Sequence, residues 1–130
     1  MRDEIIKGLR DLDKACCEIY KFNGYELKSL ILKSISVFDN VASAIIHEKT
    51  TLERDYLTIS RSRIVSDDKA EADFYNNYFY LKGLINKGIK RVDKDKILVK
   101  GRKRTEVMNN EDLVNALTSV KTVAERVILI

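Results

Sequence analysis

Nine cations, Lys87, Lys90, Arg91, Lys94, Lys96, Lys100, Arg102, Lys103 and Arg104, fall within residues 87–104 against only Asp93 and Asp95, so this segment carries +7. The whole 130-residue chain is +4, so everything else sums to −3 and positive charge is gathered in one place. A cluster of this kind on a connection with glycines at 88 and 101 can follow a phosphate backbone. Neutralising about five phosphates would give a log–log salt slope near −4 to −5. The residues expected to make those contacts are Lys90, Arg91, Lys94, Lys96, Lys100, Arg102, Lys103 and Arg104. The competing reading is a solvated connection whose charge keeps the chain in solution. Beside it, five of the ten aromatics lie between residues 74 and 80. They can stack on unpaired bases, but the spacing favours packing: 74, 78, 81 and 85 make one buried helical face, and 75, 79 and 82 a second. Tyr75, Tyr78 and Phe79 are therefore expected at an interface with a partner helix or a second subunit, where aromatic residues are enriched.

Other chemistries fail on residue type. The chain has a single histidine, His47, which excludes metal sites built from several imidazoles and leaves no spare base for a Ser/His/Asp arrangement. His47 reads as an ordinary helix-end residue. Asp93-Lys94-Asp95 has the opening of a calcium loop, but Leu98 stands where that loop needs glycine and Arg104 where it needs glutamate. Glycines at 83, 88 and 101 are too far apart for a P-loop or a dinucleotide fingerprint. Cys16 and Cys17 are adjacent and poorly placed to join in a disulfide; Cys16 is expected to pack as a small hydrophobe, the alternative being a vicinal redox or metal pair. No catalytic residue, metal or cofactor is expected.

The elements that must carry these residues follow from periodicity. Ile5, Leu9, Leu12, Cys16 and Ile19 recur at helical steps, predicting a first amphipathic helix that stops near Phe22, with Asn23-Gly24 as its terminator. Leu27, Leu30, Ile31, Ile35, Phe38, Val41, Ala42 and Ile45 form the wider stripe of a central second helix. Thr50-Thr51-Leu52-Glu53 has the form of a capping box opening a third. Asp68 with Glu71 opens a fourth, which holds the aromatic run. The basic stretch has no helical stripe; residues 97–99 and 105–107 suggest at most a small hairpin. Asn109-Asn110 then caps a last helix with Leu113, Leu117, Val120, Val123 and Val127 on one face.

These segments predict an all-α fold, an antiparallel bundle of four to five helices in one domain over residues 1–130, with a basic irregular segment or small hairpin near 89–107. The charged start of the chain lacks the apolar core of a signal peptide, and no stretch approaches the ~20 apolar residues needed to span a bilayer. A cytoplasmic protein with no membrane partner is expected.

A short antiparallel bundle with a long second helix, an aromatic fourth and an acidic-capped final helix resembles the HEPN (higher eukaryote and prokaryote nucleotide-binding) family. The resemblance implies a homodimeric all-α protein, with some members acting as RNA-cutting toxins. Those ribonucleases carry an Arg followed four to six residues later by His; here the nearest Arg before His47 is Arg10. The expected function is thus a dimeric, non-enzymatic helical protein that binds nucleic acid or a nucleic-acid-associated partner through its basic loop. The alternative is a protein–protein module using the aromatic face of the fourth helix; a HEPN-type ribonuclease ranks third.

Overall fold

The computed structural model describes residues 2–48 and 68–128. Helix α1, Arg2–Cys17, is followed by a single 3-10 turn, Ile19–Lys21, and by the 25-residue helix α2, Gly24–Glu48. Asn23 does not terminate the first helix in a left-handed conformation as the sequence suggests; no described residue has positive φ. It opens the second. Its side chain accepts from the Glu26 N–H at 2.9 Å while the Glu26 carboxylate accepts from the Asn23 N–H at 3.2 Å, a reciprocal capping box. The expected third helix from Thr50 lies outside the described residues, as does the side chain of His47.

Asp68 caps helix α3, Lys69–Leu84, accepting from the backbone of Ala70 and Glu71. The chain then forms an antiparallel sheet in the order β1 (Gly88–Arg91), β2 (Lys96–Lys100) and β3 (Thr105–Asn109). Asn109 is both the last strand residue and the N-cap of helix α4, Asn110–Thr118, where it forms a capping box with Asp112. The expected single last helix is divided at Ser119, and helix α5 runs Val120–Ile128.

The chain is therefore not an all-α bundle but a mixed α/β fold, helices packed against one face of a three-stranded sheet. The physical reason is the content of β1. Its inward positions are Ile89 and Arg91, so the strand shows one apolar residue where an alternating pattern needs two. In β3 the apolar Val107 points outward and is 63% exposed. Neither edge strand carries the period-two signature of a half-buried strand, whereas β2, with Ile97 and Val99 buried, does.

Helix α2 is the spine. It packs against α1, α3, α5 and β1, and Leu27, Ile31, Phe38 and Val41 on it are buried. The opposing stripes contribute Ile5 and Leu12 from α1, Phe74, Leu81 and Leu84 from α3, Leu113 and Leu117 from α4, and Val120 and Val123 from α5. Leu9 and Cys16 complete the predicted stripe of α1 as partly buried neighbours of this core. Gly24 allows the start of α2 to lie on the sheet: a Cβ there would stand 2.1 Å from the Ile89 carbonyl oxygen. Among the described residues no helix is long and apolar enough to cross a membrane.

Candidate nucleic-acid interface

Pairing register fixes which side of the sheet each residue occupies. Arg91, Ile97 and Met108 are cross-strand neighbours on the side that meets the helices, as are Ile89, Val99 and Glu106. On the opposite side Lys90 pairs with Leu98 and Leu98 with Val107; Lys100 pairs with Thr105 and Lys96 with Asn109. The outer face thus holds Lys90, Lys96 and Lys100, all exposed, around the apolar pair Leu98 and Val107. Lys96 and Lys100 stand about 13 Å apart along β2 at ~3.3 Å per residue.

The two turns differ in charge. Between β2 and β3, the Gly101 N–H donates to the Arg104 carbonyl at 3.0 Å, closing a tight turn whose tip is Arg102-Lys103. Arg102, Lys103 and Arg104 are all exposed, and with Lys87, Val99 and Glu106 they line one recess, which through Val99 and Glu106 lies on the helix-facing side of the sheet's end. Arg104 lies 3.4 Å from the Glu106 carboxylate, an exposed ion pair of small energetic weight. Between β1 and β2, the Asp93 carboxylate accepts from the N–H groups of Asp95 and Lys96, both at 2.8 Å. These backbone donors hold its pKa below the ordinary carboxylate value. Asp93 is thus a turn-forming residue. Lys94 at this turn is exposed but flanked by two acids, so positive charge is denser at the 101–104 end.

Arg91 does not join the other cations. Its side chain points into the junction of sheet and helices, where Nε donates to the Phe22 carbonyl at 2.8 Å and Nη2 to that of Ile19 at 2.6 Å. Nη1 donates to Asn110 Oδ1 at 2.6 Å and to the carbonyls of Asp93 and Lys94 at 3.2 and 3.1 Å. Every nitrogen of the guanidinium is committed to the fold. Asn110 reinforces the same junction by donating to the Lys94 carbonyl at 2.7 Å.

Of the eight cations expected at the site, three share the outer sheet face, three sit on the turn at its end, Lys94 lies at the far turn and Arg91 is structural. Leu98, Thr105 and Val107 on the same face escaped the sequence reading. The signal for Leu98 was the alternation of residues 94, 96, 98 and 100, in which Lys-x-Lys-x-Leu-x-Lys places every second residue on one side; Thr105 and Val107 carry no such signal.

The expected interface residues of α3 pack largely within the chain. Tyr75 meets Phe74 edge-on at 4.9 Å, and Tyr78 stacks on Phe38 at 5.7 Å while its hydroxyl donates to Asp39. Lys82 Nζ lies 4.1 Å from the centre of the Tyr78 ring. Phe79 stacks on Tyr78 at 5.9 Å yet is 45% exposed, beside Tyr80 at 40%.

A groove of about 620 Å³ between α1 and α2 is lined by Glu4, Lys7, Asp11, Ser29, Lys33 and Asn40 among others. Ser34 at its base already donates to the Ile31 carbonyl at 2.7 Å. Among the described residues no three His, Cys, Asp or Glu side chains converge as a metal site would need. Cys16 is half-buried and burial, aided by Asp13, pushes its thiol up to about 11, whereas Cys17 is exposed. Comparison of the chain with protein-family models, curated proteins and solved structures gives no match.

Proposed function

We propose that this protein binds nucleic acid, without catalysing a reaction on it, through the outer face of its sheet and the adjoining 101–104 turn. The observation that supports the reading is the convergence of Lys90, Lys96 and Lys100 on one solvent-facing surface with Arg102, Lys103 and Arg104 at its end. Those of these six cations that meet phosphates do so additively, each adding close to one unit of salt slope, so four to five such contacts give about −4. The test is an electrophoretic shift titration over a salt series. The wild-type slope is expected near −4 to −5, and changing Arg102, Lys103 and Arg104 to glutamine should lower its magnitude by about 3 and weaken binding at least tenfold. Undiminished binding by that variant overturns the proposal.

A HEPN-like kinship is part of the proposal on the order of helices alone, and brings no ribonuclease chemistry with it, since no Arg precedes His47 at the required spacing. A second reading, a homodimer or protein-partner module, is favoured by the neighbouring exposed rings of Phe79 and Tyr80. Sedimentation separates the two: a salt-insensitive oligomer dissociated by Phe79→Ser supports the second, and a monomer at all concentrations removes self-association.

A further inference from the structure

Building on the nucleic-acid reading, we infer that the ligand is B-form duplex DNA, entered through its major groove by the outer face of the sheet. Three properties of that face select this ligand. First, its residues are Lys90, Lys96, Leu98, Lys100, Thr105, Val107 and Asn109, without one aromatic ring. Recognition of unpaired bases relies on aromatic platforms, so single strands find nothing to stack on. The nearby ring of Tyr80 lies on the other side, its hydroxyl 4.0 Å from the sulfur of inward-facing Met108. Second, strands about 4.8 Å apart put the axes of β1 and β3 about 10 Å from each other. That width fits a major groove of roughly 12 Å, exceeds a minor groove of roughly 6 Å, and is barred from the deep, narrow major groove of duplex RNA.

Third, the chemistry across the face matches a groove floor between phosphate walls. With the strands running along the groove, Lys90 on the edge strand and the 101–104 turn reach phosphates. Lys96 and Lys100 on the central strand face base edges, where a lysine pairs with the acceptors of guanine. Between them Leu98 and Val107 present an apolar pair, and the one apolar group on the major-groove floor is the thymine methyl. Val107 is 63% exposed and so free to make that contact.

Fluorescence anisotropy with one A·T-rich sequence tests this, prepared as duplex DNA, duplex RNA and the two single strands. Duplex DNA is expected to bind at least tenfold tighter than the other forms. Equal or tighter binding of duplex RNA or of a single strand overturns the inference while leaving the nucleic-acid proposal intact; failure of all forms to bind at low salt overturns the proposal itself. Replacing thymine by uracil in the DNA duplex removes only the methyl, and should weaken wild-type binding by roughly fourfold for each methyl buried. The double variant Leu98→Ser, Val107→Ser should bring that thymine-to-uracil ratio to one. A wild-type ratio already at one overturns the major-groove placement.

Discussion

Replacing Arg91 with methionine keeps most of the aliphatic stem and removes the guanidinium, which separates its architectural role from any contact with a ligand. Three of its hydrogen bonds end on partly buried acceptors, the carbonyls of Phe22 and Ile19 and the amide oxygen of Asn110. Each acceptor left without its donor costs about 1 kcal/mol or more, so the substitution should destabilise the protein by about 3 kcal/mol. The bonds to the Asp93 and Lys94 carbonyls are exposed, and water replaces them at little cost. In a chain of this length that loss lowers Tm by about 10 °C. Urea denaturation should show the midpoint falling with an unchanged slope. Shift assays well below the variant's Tm should find its binding within about twofold of wild type. Changing Lys90, Lys96 and Lys100 together to glutamine should do the opposite, altering stability by about 0.5 kcal/mol at most and weakening binding at least tenfold. Unaltered stability of Arg91→Met, or a binding loss in the folded variant equal to that of the triple lysine change, would refute the assignment.

Two glycines should respond to alanine with opposite signs. Gly24→Ala drives a Cβ into the Ile89 backbone and should cost about 3 kcal/mol in chemical denaturation, while a methyl added at Gly83 in α3 meets nothing within 4 Å and Gly83→Ala should stabilise by up to about 1 kcal/mol. Thiol labelling at pH 8 should modify Cys17 rapidly and Cys16 slowly, because a thiol with its pKa at about 11 is only about one part in a thousand thiolate there; equal rates would contradict the packing of Cys16. Asp68 is held below the ordinary value of 3.8, first by its hydrogen bond from Arg126, so the fold favours its charged form. Its contribution to stability is full above that value and disappears as pH falls through the lowered one; denaturation midpoints from pH 7 to 3 should drop more steeply for wild type than for Asp68→Asn.

Most of the helical framework was legible because each helix must bury a stripe, and burial leaves a period of 3.6 that single residues cannot hide. Ile5, Leu12 and Ile19 were found this way; the caps at Asp68 and Asn109 were legible from residue type and position, because each answers to a pair of local hydrogen bonds. The sheet was half legible. β2 announced itself through three consecutive β-formers, but β1 hides its inward side behind Arg91, whose burial is compensated by carbonyls from residues 69 and 72 positions away rather than by apolarity. For the same reason charge counting could not separate Arg91 from its neighbours: nine cations look alike until the fold decides which ones meet water. Asn23-Gly24 misled in a different way, since one dipeptide serves equally to end one helix or begin the next, and the reciprocal bond with Glu26 decides it. The capping box at Thr50 lies outside the described residues.

The sheet's attachment to residues 19–22 also leads to a prediction about folding, because it joins segments far apart in sequence. Helices α1 and α2 are joined by a short connection and meet through contacts close in sequence, so their hairpin can form while the rest of the chain is still unstructured. The bonds from Arg91 to Ile19 and Phe22 span 72 and 69 residues and must await closure of that long loop. Weakening this junction should therefore leave the refolding rate almost unchanged and appear as faster unfolding, so the latch between sheet and helices would act on the lifetime of the native state and not on the speed of reaching it.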